Sequence, residues 1–204
     1  MPLTDEQRNA IAQLRAYYLS TTPFQIGIAE SVEQRARLPD PAHVPTDVTT
    51  RVEIAPPSPH PHPLLNGNAL KAPERVPVYF YSLHSDLAES EVADTHVIFY
   101  IHGGGNVTGH PSDQMAIGFY TQLLRSVASH SGDASKCVLV APSYRLATVP
   151  ENTFPAALQD IVAAYEYVLG KGYKPSNIVI AGDSAGGNHG RSARSPLAQE
   201  IDNA

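Results

Sequence analysis

Three short apolar runs, His96–Ile101, Cys137–Ala141 and Asn177–Ala181, constrain this chain more than any other feature. Each has the length of a strand and is almost continuously apolar, the pattern of a strand buried on both faces. The segments between them have helical period. In the first, Met115, Phe119, Leu123, Leu124 and Val127 line one side, with Ser112 placed to cap. In the second, Pro155 stands at the favoured first position and Leu158, Ile161, Val162, Tyr165, Val168 and Leu169 follow at helical spacing, with Gly170 to end it. Val76–Ser82 reads as a further strand. Strands alternating with helices of this length predict an α/β fold with a mostly parallel sheet and flanking helices.

Upstream the pattern is weaker. Residues 4–19 read as a helix, with Thr4 and Gln7 at capping-box spacing and Ile11, Leu14 and Tyr18 on one face. A second helix is expected within 25–37, stopped by Pro41 and Pro45, and then a strand over Val48–Ile54. The run Ala55-Pro56-Pro57-Ser58-Pro59-His60-Pro61-His62-Pro63 cannot hold regular structure. His60 and His62 have no further ligand at a recognisable spacing, so no metal is expected.

Composition narrows the classes. The chain has 204 residues, 42% of them hydrophobic, enough for one globular domain. Its net charge is −6 and its basic residues are dispersed, which argues against binding nucleic acid or anionic membrane surfaces. The single Cys137 lies in an apolar run and reads as a buried strand thiol. Neither a signal-peptide core nor a membrane span is visible, so no membrane insertion and a cytoplasmic location are expected. The sequon Asn106-Val107-Thr108 sits where a glycan would crowd a loop, and reads as chance.

Two motifs carry chemistry. His102-Gly103-Gly104-Gly105 directly follows the strand ending at Ile101. Successive glycines let backbone N–H groups turn inward, and such donors aimed at a developing oxyanion are each worth about 3 kcal/mol of barrier. Alone, the run also fits a flexible loop or a phosphate cradle, although the lysine of a P-loop is missing. Gly182-Asp183-Ser184-Ala185-Gly186-Gly187 directly follows Asn177–Ala181 and fits the G-x-S-x-G nucleophile elbow. That turn forces Ser184 into a strained backbone, lifts its hydroxyl above the sheet and aims the Ala185 N–H at the same oxyanion. Gly182 and Gly186 are required because neighbouring groups would collide there. Helix, strand and helix separate the motifs, so right-handed crossovers bring both to the carboxyl ends of parallel strands.

These stretches resemble the hormone-sensitive-lipase-like family of α/β-hydrolases. Tyr144-Arg145-Leu146-Ala147 and Phe154-Pro155-Ala156-Ala157-Leu158 are similar to it as well. The resemblance implies Ser184 as nucleophile and the N–H groups of Gly104, Gly105 and Ala185 as oxyanion hole. Gly103 would shape that turn, and His102, Gly182, Asp183 and Gly186 would support the motifs. It implies a small-molecule carboxylic ester as substrate, without metal or organic cofactor. It also divides the chain into an N-terminal helical cap segment (1–45), a partial hydrolase core (46–188) and a divergent tail (189–204). Asn106 departs from it, standing where the family has an aromatic, and Thr148 and Val149 look inserted.

The resemblance fades after Asn188. The family's partners follow in the order Ser, acid, His, and beyond Ser184 the chain offers only His189, Glu200 and Asp202. His189 is expected to be an incidental surface residue facing away from Ser184, and Gly190 and Pro196 to weaken the helix. The expectation is a chain derived from a longer hydrolase, lacking C-terminal strands and weak or inactive as an enzyme. Asn177–Ala181 would then be an exposed edge open to self-association. The alternatives are a non-catalytic small-molecule binding protein of hydrolase type, or a fragment without independent function.

Overall fold

The computed structural model describes Asn9 and residues 28–59, 72–83, 89–131 and 136–192. Apart from Asn9, the helix expected at 4–19 lies outside the described residues, as do all of His60–Pro63 and the tail beyond residue 192.

Five strands form one sheet: β1 (Thr49–Ala55), β2 (Val76–Ser82), β3 (His96–Ile101), β4 (Cys137–Pro142) and β5 (Ile178–Gly182), in the order β1-β2-β4-β3-β5. The parallel part is β4-β3-β5, and β1-β2 and β2-β4 are antiparallel, so the sheet is mixed. Helix α1 (Val32–Arg35) precedes β1, α2 (Gln114–Ser131) links β3 to β4, α3 (Ala156–Gly170) leads toward β5, and α4 (185–192) follows it.

Strand alternation builds two apolar layers. Val78 and Phe80 of β2, with Val97, Phe99 and Val140, pack toward Leu158, Ile161, Tyr165 and Val168 of α3. Tyr79 and Tyr81, with Leu139, pack toward Ile117, Tyr120 and Leu124 of α2. A fully buried side chain such as Ile161 or Ile117 contributes about 1.5–3 kcal/mol. The result is a sheet with a helix on each face.

The structure corrects several expectations. The buried face of α2 is set by Ile117, Tyr120, Thr121 and Leu124, whereas Met115 is 81% and Phe119 48% exposed. Period alone could not phase the helix, because it is apolar on more than one side. Ser112 does not cap it: its Oγ engages His110 Nδ1 at 2.8 Å, and the first helical bond runs from Ile117 N–H to the Asp113 carbonyl. Pro155 takes the N-cap rather than the first helical position of α3. The left-handed residue beyond that helix is Gly172, φ 98°. The helix expected in 25–37 shrinks to one turn, begun by a Ser31–Gln34 capping box.

Arg35 explains that turn's place. Its guanidinium reaches the Ser143 carbonyl at 2.6 Å and Asp160 at 3.1 Å, and Arg145 grips Asp160 through Nε and Nη2 at 2.8–3.1 Å. All three side chains are buried. Buried charges are tolerated when paired and hydrogen-bonded, and here only Arg35 Nε is left without a partner among these guanidinium and carboxylate atoms. This cluster pins the segment before β1 to the start of α3.

Strand β5 is the outer strand among the described residues. Its one pairing is to β3, and Val179 is 64% exposed. Among the described residues this agrees with the exposed edge expected for Asn177–Ala181 and not with the burial on both faces read from its apolar run, because an apolar run alone does not reveal whether a strand is central or at the edge.

Candidate active site

Both motifs arrive at the carboxyl ends of adjacent parallel strands, β3 and β5, where Ile101 pairs with Gly182. The contact between them is backbone on backbone. A Cβ on Gly186 would lie 2.0 Å from the Ile101 carbonyl oxygen and 2.6 Å from that of His102, and one on Gly182 would lie 2.6 Å from Ile101 O. Carbonyls of β3, rather than side chains, thus exclude every residue but glycine. Ser184 has φ 47°, a left-handed conformation that non-glycine residues rarely adopt and that the elbow requires. The Gly186 and Gly187 N–H groups close the turn on the Asp183 carbonyl, and Asn188 N–H reaches Ser184 O at 3.2 Å. The serine is exposed at the tip. Ala185 opens α4, so its N–H is one of the leading four that no helical carbonyl serves.

The glycine run turns tightly. Gly104 (φ 109°), Gly105 (φ 62°) and Asn106 (φ 65°) are successive left-handed positions. A Cβ on Gly104 would fall 2.1 Å from the Thr108 carbonyl oxygen. Val107 and Thr108 N–H both donate to Gly104 O, which folds the loop back on itself. The N–H groups of Gly104 and Gly105 donate to no acceptor among the described residues.

Asp183 latches the elbow to this loop. Its Oδ1 accepts from Gly103 N–H at 2.8 Å and from the Tyr100 hydroxyl at 3.0 Å. Burial, and then the Asp183 carboxylate, push the Tyr100 phenol up to about 12. A Cβ on Gly103 would meet Asp183 Oδ2 at 2.2 Å, so the first glycine is dictated by the acid opposite it.

The imidazoles nearby are engaged structurally. His102 is buried, donates Nδ1–H to Gly103 O at 2.8 Å and stacks on Tyr144 with ring centroids 4.3 Å apart. Tyr144 in turn donates to His102 O at 2.7 Å. His110 donates Nε2–H to Arg35 O at 2.8 Å, and burial lowers it to about 3. His189 is not an incidental surface residue. It is buried on α4, which continues through residue 192 despite Gly190, and donates Nε2–H to Asn106 Oδ1 at 2.6 Å. Burial lowers both His102 and His189. Ser184 Oγ makes no hydrogen bond to an imidazole or carboxylate among the described residues. Cys137 is buried, its thiol pushed up to about 11, away from any nucleophilic role.

Beside the loop lies a cavity of about 460 Å³. Its wall is Tyr100, Met115, Phe119 and Tyr120, and its polar end is Gly104 and Asp183. This accounts for Met115 and Phe119 on the outer side of α2. Sequence reasoning missed Tyr100, Tyr144 and His110 as supports of the site. For Tyr100 the signal available was a polar tip inside an apolar run; His110, between Gly109 and Pro111, and Tyr144, between Ser143 and Arg145, carry no such local signal. Among the described residues no group of His, Cys, Asp and Glu could hold a metal ion, and no helix is long and apolar enough to cross a membrane.

Comparison with known proteins agrees with this geometry. Residues 98–191 match the family model described as the α/β-hydrolase fold, so the likeness extends past Asn188 into α4. An acetyl-hydrolase of Streptomyces hygroscopicus is 39% identical over 93 residues, 46% of this chain and 27% of that protein. Esterase LipI of Mycobacterium tuberculosis is 29% identical over 196 residues, 90% of this chain and 51% of that protein. Among solved structures, an esterase of the bacterial hormone-sensitive lipase family superposes with TM-score 0.53 at 24% identity, covering 98% of this chain and 54% of that one. A hyperthermophilic esterase from Pyrobaculum calidifontis gives 0.54 at 23%, covering 98% and 55%. This chain thus spans between a quarter and about half of the length of these curated relatives. Its sheet order, the parallel pairing of β3 with β5 and the matched stretch show the α/β-hydrolase fold, and the chain is similar to esterases of that fold.

Proposed function

We propose that this chain carries the acyl-transfer half-site of a serine ester hydrolase. Ser184 Oγ attacks the carbonyl of a carboxylic ester, the alcohol leaves, and water later releases the acid from the acyl-serine. The N–H groups of Gly104, Gly105 and Ala185 receive the oxyanion, each donor being worth about 3 kcal/mol of barrier. The apolar cavity at Met115 and Phe119 takes the apolar end of the ester. No metal or organic cofactor takes part. The observation that carries the reading is Ser184 at φ 47° on a turn that only glycine at 182 and 186 permits, latched through Asp183 to a loop with undonated N–H groups.

Among the described residues no base is bonded to Ser184, so the expected turnover of the 204-residue polypeptide is weak. Catalysis that lacks a triad member falls to about 10³–10⁴ over water, supplied by oxyanion hole and binding. A second reading, a non-catalytic small-molecule binder, is favoured by the same unpartnered serine beside an apolar cavity. Stopped-flow hydrolysis of p-nitrophenyl acetate, beside Ser184→Ala, separates the two. A small p-nitrophenolate burst lost in the variant supports acyl transfer. Saturable binding of the ester with no burst supports the binder, and neither signal would leave a fragment without function.

A further inference from the structure

The glycine loop is held to the elbow at two points, and only one lies within the motifs. The near end is fixed where Gly103 N–H meets Asp183. Beyond it come Gly104 and Gly105, which have no side chains to anchor them and sit at φ 109° and 62°. The next residue, Asn106, is the first that can reach another element. Its carbonyl accepts from Ala147 N–H at 2.6 Å, and its Oδ1 accepts from His189 Nε2–H at 2.6 Å. His189 is one turn past Ser184 on α4, buried, with its ring edge-on to Tyr144 at 5.6 Å. Tyr144 is itself stacked on His102. The two N–H groups assigned to the oxyanion thus lie between two anchors, both reaching back to the segment that carries Ser184.

We propose that Asn106 and His189 form a positioning clamp, which holds the far end of the glycine loop against the elbow helix and keeps the Gly104 and Gly105 N–H groups aimed at the reacting carbonyl. Both are positioning residues: the donated Nε2–H leaves His189 as a strut rather than a base. Asn106 suits the role because asparagine tolerates the left-handed backbone better than most residues while offering an acceptor. The clamp rests on the acyl-transfer reading for its purpose, but not for its existence.

The test compares His189→Leu, which removes the donor, with His189→Gln, which keeps one, and adds Asn106→Gly, which keeps the left-handed backbone without the acceptor. Two quantities are read: ¹⁵N order parameters at Gly104 and Gly105, and the rate of Ser184 acetylation by p-nitrophenyl acetate. The clamp predicts order parameters falling from about 0.85 toward 0.6 in His189→Leu and Asn106→Gly. It predicts about tenfold slower acetylation in each, no further loss in the double variant, and recovery in His189→Gln. Unchanged order at Gly104 and Gly105, or loosening spread equally over β3 and β4, would overturn the clamp. Should Ser184 resist acetylation in the unaltered chain, the acyl-transfer reading fails by itself, while the order parameters still decide the clamp.

Discussion

Asp183→Ala and Gly103→Ala make an informative pair, because each residue is the reason for the other. Asp183→Ala removes the acceptor of the Gly103 N–H at 2.8 Å. Gly103 is buried, so that donor is left unpaired, at a cost of about 1–3 kcal/mol. The Tyr100 hydroxyl also loses its partner, but it borders the cavity and water can replace the carboxylate. Gly103→Ala alone drives a Cβ to 2.2 Å from Asp183 Oδ2 and 3.0 Å from its Cγ, and overpacking of this kind costs about 1–3 kcal/mol. In the double variant Oδ2 and Cγ are gone, and only the 2.9 Å approach to the Asp183 carbonyl remains. The double variant should therefore lose about 1–2 kcal/mol less than the sum of the singles. The chain has no tryptophan, so urea unfolding followed by far-ultraviolet circular dichroism is the suitable assay, with the slope required to stay constant. Additivity within about 0.5 kcal/mol would refute the latch between elbow and loop.

Stability should fall with acid on account of His110. Its folded value near 3 lies below the ordinary value near 6.5, so between them the unfolded chain binds a proton that the folded chain does not. The stabilisation is complete above pH 6.5 and is lost toward pH 3. His110→Gln should flatten that slope in urea titrations, though not abolish it, since burial lowers His102 and His189 in the same direction; an unchanged slope would contradict the assignment. Among the described residues β5 has an unpaired outer edge, so self-association is expected at high concentration, and Val179→Lys, at a 64% exposed position, should reduce the light-scattering mass. Equal masses for the two proteins would place any association elsewhere.

What could be read from the sequence followed from how local its cause was. Val76–Ser82 and His96–Ile101 have the same bounds in prediction and structure, because each is a short run dense in β-branched and aromatic residues. The two motifs were legible for the same reason: glycines at fixed offsets and a strand before each. Residue pairs distant in the chain were not legible. Nothing local says that Arg35 and Arg145 share Asp160, or that Asn106 meets His189. Helix phase failed on α2 because Met115 and Phe119 are apolar for the sake of a cavity rather than the core. The antiparallel pairing of β2 with β4 was hidden as well, since strand direction depends on the connections rather than on the strand's own residues.

The most direct measurement is mass spectrometry of the chain after brief exposure to p-nitrophenyl acetate, with peptide mapping. p-Nitrophenolate leaves without needing an acid, and with no base bonded to Ser184 among the described residues the acyl-serine is expected to hydrolyse slowly, so the intermediate accumulates. One acetyl group on the peptide containing Ser184, absent from Ser184→Ala and diminished when the glycine loop is loosened, is the predicted result. Acetylation scattered over lysines, with Ser184 unmodified, would contradict the assignment of Ser184 as nucleophile.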